Sequence, residues 1–325
     1  MSNSDFFETS PHAIACLGEA MLEMSNRAGS LFELDVAGDT LNTAAGISLL
    51  GGRAHLVSSI GDDANSPRLL EKCKALGVGT KYISQIPSTS IGLYLISTDS
   101  EGERSFSYWR DQSAAHCLLC DTKKLQLALQ QLEAERYLYL SGITLSRTSH
   151  ESREILYSWL DQFRKRGGCI IYDGNYRARL WKNRKLALNA HTRMLERTTV
   201  FLSGMEDERE LRGLNSSRDV IARIEQQDIS EIVVKDGEQS VQIYCQGRKS
   251  EVKPETILQV TDTSGAGDSF NAGYLACRLK GIEPDEAAQF ACKVSAMVIQ
   301  QPGAIPAEKH WRSHADAIAG MLSKS

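Results

Sequence analysis

No stretch of this 325-residue chain approaches the roughly 20 consecutive apolar residues that span a bilayer, so no membrane partner is expected. Positive charge is not in excess: 37 Lys and Arg against 41 Asp and Glu leave a formal net charge of −4. A broad nucleic-acid-binding face needs the opposite balance, so no nucleic-acid partner is expected either. Proline is sparse, with 7 residues, and no Pro/Gly/Ser-rich stretch divides the chain. One continuous domain over 1–325 follows. The opening MSNSDFFETSPHAIACLGEAM has no basic segment leading into an apolar run, so no signal peptide is expected. The eight cysteines are scattered, and only Cys117 and Cys120 stand at CxxC spacing, without a second pair or a histidine cluster. Zinc and redox readings therefore yield to small packing residues. Such usage in a long chain suits a reducing compartment, and a cytoplasmic location is expected.

What is present is a rhythm. Short apolar runs bounded by Gly or Asp recur as AIACLG, AHLVSSIG, YLYLSG, CIIYDGN, VFLSG and EIVVKDG. Helix-like segments at 65–77, 149–166 and 216–227 lie between several of them. Buried short strands alternating with amphipathic helices predict an α/β fold with a largely parallel sheet covered on both faces. Two segments break the rhythm: 91–98 (IGLYLIST) and 104–110 (RSFSYWR), joined by DSEGE. Both are extended and rich in aromatic or β-branched residues, so they read as a β-hairpin. It is expected to form a small lid over the main domain from about 20–37 and 91–111.

Residues 261–273, TDTSGAGDSFNAG, carry the chemistry. Glycines at a helix entrance let an anion approach unpaired backbone N–H groups, and Gly265, Ala266 and Gly267 fit that description. A dinucleotide-binding turn needs a third glycine and a P-loop needs GK[ST]; both are absent. A plain Asp-capped helix is the remaining alternative. Asp268 itself would repel a bound phosphate unless the two work together, with Asp268 accepting a proton from a substrate hydroxyl while the amides stabilise the transferred phosphoryl group.

The stretch Asp262-Thr263-Ser264-Gly265-Ala266-Gly267-Asp268 resembles the C-terminal signature of the ribokinase-like (PfkB) carbohydrate kinases. Gly38-Asp39-Thr40-Leu41-Asn42, Gly61-Asp62-Asp63 and Lys235-Asp236-Gly237 resemble further segments of that family. Nearly the whole chain is covered. The resemblance implies a ribokinase-like, mostly parallel sheet flanked by helices, with a small β-sheet lid. It also implies ATP and Mg2+ as cofactors, with a monovalent cation possible beside Asp262, for which a turn-stabilising Asx role is the alternative. GDTLN, GLYLI, GERSFSYWR and NYRARLW narrow it to members acting on a 2-keto-3-deoxy sugar acid at its terminal hydroxyl. Asp268 would then be the catalytic base. Asn175, Lys235 and Gly237, with Gly265, Ala266 and Gly267, would face the ATP phosphates, and a solvated Lys235 is the alternative. Departures are Ala37 and Ala178 for a usual glycine and proline, Ser240 in the Lys-x-Gly turn, and an unclear Asn-x-x-Glu at 203–208. No metal ligand is assigned.

Alternation along the hairpin puts Phe106, Tyr108 and Arg110 on one face, and Gly92, Tyr94 and Ile96 on one face of the other strand. Tyr94, Tyr108 and Arg110 would offer two hydroxyls and a cation to a sugar acid, whose carboxylate Arg can hold by two parallel bonds. The alternative is a solvated face of cross-strand pairs. Arg177 would touch substrate or phosphate, or else pair with Asp173. Gly38 and Asn42 would meet sugar hydroxyls. Asp39 would do the same, or cap the helix starting near Thr40. Other sugars or sugar acids, and a catalytically silent sugar-acid-binding protein, remain as alternatives. Exposed edges of the lid sheet favour a homo-oligomer, with a dimer through that sheet.

Overall fold

The computed structural model describes residues 7, 12–28, 31–98 and 104–322. The DSEGE connection at 99–103, positions 29–30 of the expected lid and most of the opening segment read for a signal lie outside the described residues. The strands are β1 (Ile14–Leu17), β2 (Met21–Ala28), β3 (Leu31–Ala37), β4 (Ala54–Ile60), β5 (Gly79–Gln85), β6 (Gly92–Thr98) and β7 (Arg104–Trp109). They continue as β8 (Tyr137–Ser141), β9 (Cys169–Asp173), β10 (Val200–Gly204), β11 (Glu231–Lys235), β12 (Val241–Cys245) and β13 (Arg248–Val252). Nine of them form the main sheet in the order β13-β12-β11-β10-β9-β8-β1-β4-β5. Pairing is parallel from β11 through β5, and β12 and β13 add an antiparallel edge.

Both faces of this sheet are covered, as the apolar runs predict. In β8, Tyr137 and Tyr139 pack into one core and Leu138 and Leu140 into the other; β9 divides Cys169 and Ile171 from Ile170 and Tyr172 in the same way. That period of two matters at the strand ends, because it sends Ser141, Asp173 and Lys235 toward the face of the first core. The helices Asp39–Leu49, Ala266–Arg278 and Pro284–Ile299 contribute to that core. The predicted helices run over Pro67–Ala75, His150–Lys165 and Ser217–Ile224.

Small residues bring those three core helices together, the first to the second and the second to the third. A Cβ on Gly46 would stand 2.5 Å from the Cβ of Ala272, and one on Gly273 would stand 3.0 Å from the Cα of Ala291. Close backbone approach of this kind is what small residues at a helix contact permit, and it sets the N-termini at 39 and 266 side by side. Both open at the carboxyl ends of the parallel strands, where ligands bind in α/β sheets.

A second sheet has the order β3-β2-β6-β7. Strand β2 pairs antiparallel with β3 and parallel with β6, and β6 pairs antiparallel with β7. One face carries Glu23, Tyr94 and Tyr108 in register; the other carries Val36, Leu22, Leu93 and Trp109.

Candidate active site

Asp268 is the third residue of the helix Ala266–Arg278 and is half-buried. Its Oδ2 accepts from the Asn42 amide at 2.8 Å. Burial raises its pKa to about 7, the nearby Asp39 and Asp173 carboxylates add to the rise, and the Asn42 bond and Lys235 oppose it. Asp39 opens the helix Asp39–Leu49, with Gly38 as the N-cap, so Asp39 does not cap it. Its carboxylate instead accepts from the Ser141 hydroxyl and, at 3.1 Å, from the Asn175 amide. Burial raises its pKa as well, against the Ser141 bond. Gly38 is required by packing: a Cβ there would lie 2.4 Å from the Glu19 carbonyl oxygen.

Behind these groups Asn271 is fully buried, one turn after Asp268. Its amide donates to Asp173 at 3.0 Å and to the Tyr139 hydroxyl at 3.3 Å, while its oxygen accepts from Lys235 at 2.8 Å. The Lys235 ammonium also stands 3.7 Å from Asp173 and is largely covered, so the solvated reading of this lysine does not hold. The positive charge of Lys235 opposes the rise in the Asp268 pKa.

The helix entrance suits an anion. Gly265 sits at φ 70°, and a Cβ there would meet Ala304 at 2.7 Å. Ala266 N–H closes a turn onto the Thr263 carbonyl at 3.2 Å. No side chain caps this end, and the Gly267 and Asp268 amides have no hydrogen-bond acceptor among the described residues. Asp262 takes amides from Ser264 at 2.8 Å and Gly303 at 2.9 Å, which is the Asx role. Asn175 is held at φ 28°, buried, with its Oδ1 lacking a partner among the described residues. An unpartnered buried acceptor is costly, and backbone strain of this kind collects at functional sites. Gly237 lies in an open turn at φ 56°.

The small sheet meets the main body through polar groups. Arg110 is buried, and its guanidinium contacts Glu19 at 3.2 Å; Arg147 lies 3.8 Å from the same carboxylate. Burial raises the pKa of Glu19, and the two arginines oppose the rise. The Tyr94 hydroxyl donates to Glu23, so its proton is already committed. Tyr94 and Tyr108 stack at 5.8 Å, and Arg110 stands 4.6 Å from the Tyr108 ring. Arg177 pairs with Asp207 at 2.9 Å, not with Asp173. Burial raises the Asp207 pKa to about 6 even against that arginine.

The model of the pfkB family carbohydrate kinases matches residues 12–311. This chain belongs to that family. The 2-dehydro-3-deoxygluconokinase of Escherichia coli K12 is 38% identical over 299 residues, covering 90% of this chain and 96% of the relative. The enzyme of the same name from Haemophilus influenzae is 35% identical, covering 90% and 95%. Among solved structures, a fructokinase with bound ATP from Xylella fastidiosa aligns with a TM-score of 0.80 at 23% identity, covering 94% of this chain and 99% of that one. The 2-dehydro-3-deoxygluconokinase from Thermotoga maritima aligns at 0.77 and 22% identity, covering 94% and 98%.

In this pfkB carbohydrate kinase, the residues assigned separately to catalysis, sugar and nucleotide meet in part: Asn42 contacts Asp268, Asn175 contacts Asp39, and Lys235 contacts Asn271 and Asp173 instead of another assigned residue. The sequence reading gave no role to Asn271, Glu19, Glu23 or Asp207, and named Asp173 only as an alternative partner of Arg177. For Asp173 a signal existed: it ends a fully buried strand on the face that looks toward the helix Ala266–Arg278. Asn271 lies three positions after Asp268 and hence on the same side of that helix. No helix among the described residues of this kinase is long and apolar enough to cross a membrane.

Proposed function

We propose that this kinase transfers the γ-phosphoryl group of ATP to the 6-hydroxyl of 2-keto-3-deoxygluconate, giving 2-keto-3-deoxy-6-phosphogluconate and ADP. The observation that carries the reading is Asp268, oriented by Asn42 at an uncapped helix entrance, with a pKa near 7. A base is most effective when its pKa lies close to the working pH. The substrate oxygen attacks the γ-phosphorus, the bond to the β–γ bridging oxygen breaks, and the hydroxyl proton passes to Asp268. The Gly267 and Asp268 amides stand where the charge of the phosphoryl oxygens gathers. Asn175 and Lys235 support the nucleotide side, and Gly38, Asp39 and Asn42 the sugar side. Tyr94, Tyr108 and Arg110 present the lid face to the sugar acid, and closure over it limits ATP hydrolysis.

Magnesium neutralises the triphosphate when bound. Asp173 and Asp207 are each engaged by a cation, Lys235 and Arg177, and no group of three or more His, Cys, Asp or Glu among the described residues is arranged to hold a metal. This donor set fits an ion carried by nucleotide oxygens and waters. A monovalent cation beside Asp262 is part of the proposal; replacing potassium by tetramethylammonium without loss of rate removes it.

The test is ADP release with MgATP against 2-keto-3-deoxygluconate, its galactonate epimer, gluconate, fructose and ribose. Turnover confined to the two keto-deoxy acids supports the reading, and their ratio settles the epimer. Preference for fructose or ribose overturns the lid assignment and leaves Asp268 in place; no turnover at all favours a silent binder. For assembly, Trp109, Phe32 and Leu34 share the outer lid face and are 58%, 45% and 38% exposed. Exposed apolar surface of this kind supports a dimer through the lid, and a monomeric mass in sedimentation would rule it out.

A further inference from the structure

Arg179 has none of the roles given above. It lies in the short 3-10 turn Ala178–Leu180 that follows β9, on the main body, yet it reaches the lid. Its Nη2 donates to the Tyr108 hydroxyl at 2.5 Å. Its guanidinium carbon is 4.5 Å from the centre of the Tyr108 ring and 5.9 Å from that of Phe106. Arg110 stands 4.6 Å from the same Tyr108 ring, brought there by the lid strand itself. Two guanidinium groups from separate parts of the chain therefore converge on one tyrosine.

Their partners are unequal. Arg110 has Glu19 at 3.2 Å, whereas Arg179 forms no ion pair with any of the described residues. The positive charge of Arg179 also makes that of Arg110 harder to hold. Glu19 is shared by Arg110 and Arg147, and Glu23 takes the Tyr94 hydroxyl, so Arg179 stands over the aromatic platform without a carboxylate of its own among the described residues, and a neutral polyol does not supply one. A sugar acid does, and a guanidinium fork holds its carboxylate in two bonds. Arg179 is exposed, yet a hydroxyl and two rings order it, and these contacts offset the entropy cost of fixing so long a side chain.

We propose that Arg179 determines specificity for acidic acceptors: with Arg110 it forms a two-guanidinium clamp on the carboxylate of the sugar acid, and the Tyr108 ring is the platform of that clamp. This rests on the sugar-acid reading above and adds a residue to it.

The experiment compares the wild type with Arg179→Ala and Arg179→Lys, using 2-keto-3-deoxygluconate and its methyl ester, which keeps the 6-hydroxyl and removes the charge. Arg179→Ala is expected to raise KM for the acid by roughly tenfold or more, as for loss of a charge-assisted bond, and to leave KM for the ester within about twofold. KM for MgATP should not move. Arg179→Lys restores charge without the fork, so it should recover only part of the loss. Unchanged KM for the acid overturns the proposal. So do equal losses for acid and ester, which a residue that merely latches the lid would give. If the alanine variant does not fold, the lysine variant carries the same acid-against-ester comparison. A wild type that ignores the acid defeats the proposed activity instead, so the two failures are distinct.

Discussion

The side-chain amide of Asn42 meets the carboxylate of Asp268 at 2.8 Å, across 226 positions of sequence. The contact exists because two helices abut through Gly46 and Ala272, so that both N-termini open at one point. Asp268 is thereby oriented before any substrate arrives. A base held in place by the fold loses little freedom when the reaction begins.

Asp268→Asn keeps the shape and the Asn42 contact while removing the proton acceptor. Its kcat is expected to fall by at least roughly 10²-fold, the low end for a lost general base. Circular dichroism should show an unchanged fold. Activity surviving nearly intact would mean that Asp268 is not the base.

The pH profile follows from the same group. Only the ionised carboxylate accepts a proton, so kcat/KM should rise as pH passes through about 7. The Asn42 bond favours the charged form. Asn42→Ala should therefore move the midpoint upward, with activity lost at neutral pH and partly recovered in alkaline buffer. A midpoint that stays put or moves down would contradict this electrostatic account.

Stability should change with pH in the opposite sense to activity. The folded pKa of Asp268, about 7, lies above the ordinary value of 3.8, so the folded state holds the proton more tightly than the unfolded one. Its favourable contribution is complete below the ordinary value and is lost as pH rises through about 7. Asp268→Asn has no charge to bury. The variant should melt above the wild type in mildly alkaline buffer, and the gap should close as the buffer approaches the unfolded pKa. A constant gap across pH would assign the effect to packing.

Much of this was legible because alternation is a strong signal. YLYLS, CIIYD and EIVVK announce strands buried on both faces, and their periods already point Ser141, Asp173 and Lys235 toward one core. GAGD announced the helix entrance. The partners were harder to read. Arg110 looked like a surface residue or a free ligand, yet Glu19, 91 positions away, holds it buried. Arg177 took Asp207 because the helix Met205–Arg212 begins beside β9, a neighbour set by sheet order rather than by sequence. Tyr94 reached Glu23 through the parallel pairing of β2 with β6, a register that no hairpin signal encodes.

Gly265 tests the helix entrance without touching a charge. At φ 70° it occupies the left-handed region, where a Cβ costs about 1–2 kcal/mol. That Cβ would also stand 2.7 Å from the Ala304 Cβ and 2.9 Å from its Cα, and relief requires the backbone to move. Gly265→Ala is therefore expected to lower Tm and, by shifting the amides that follow, to raise KM for MgATP more than KM for the sugar acid. Ala304→Gly in the same chain removes one of the contacts and leaves the backbone conformation strained, so it should restore only part of the Tm. Full restoration would assign the whole cost to the side-chain contact. A Gly265→Ala enzyme with unchanged KM for MgATP would show that the amides at this entrance do not hold the phosphates.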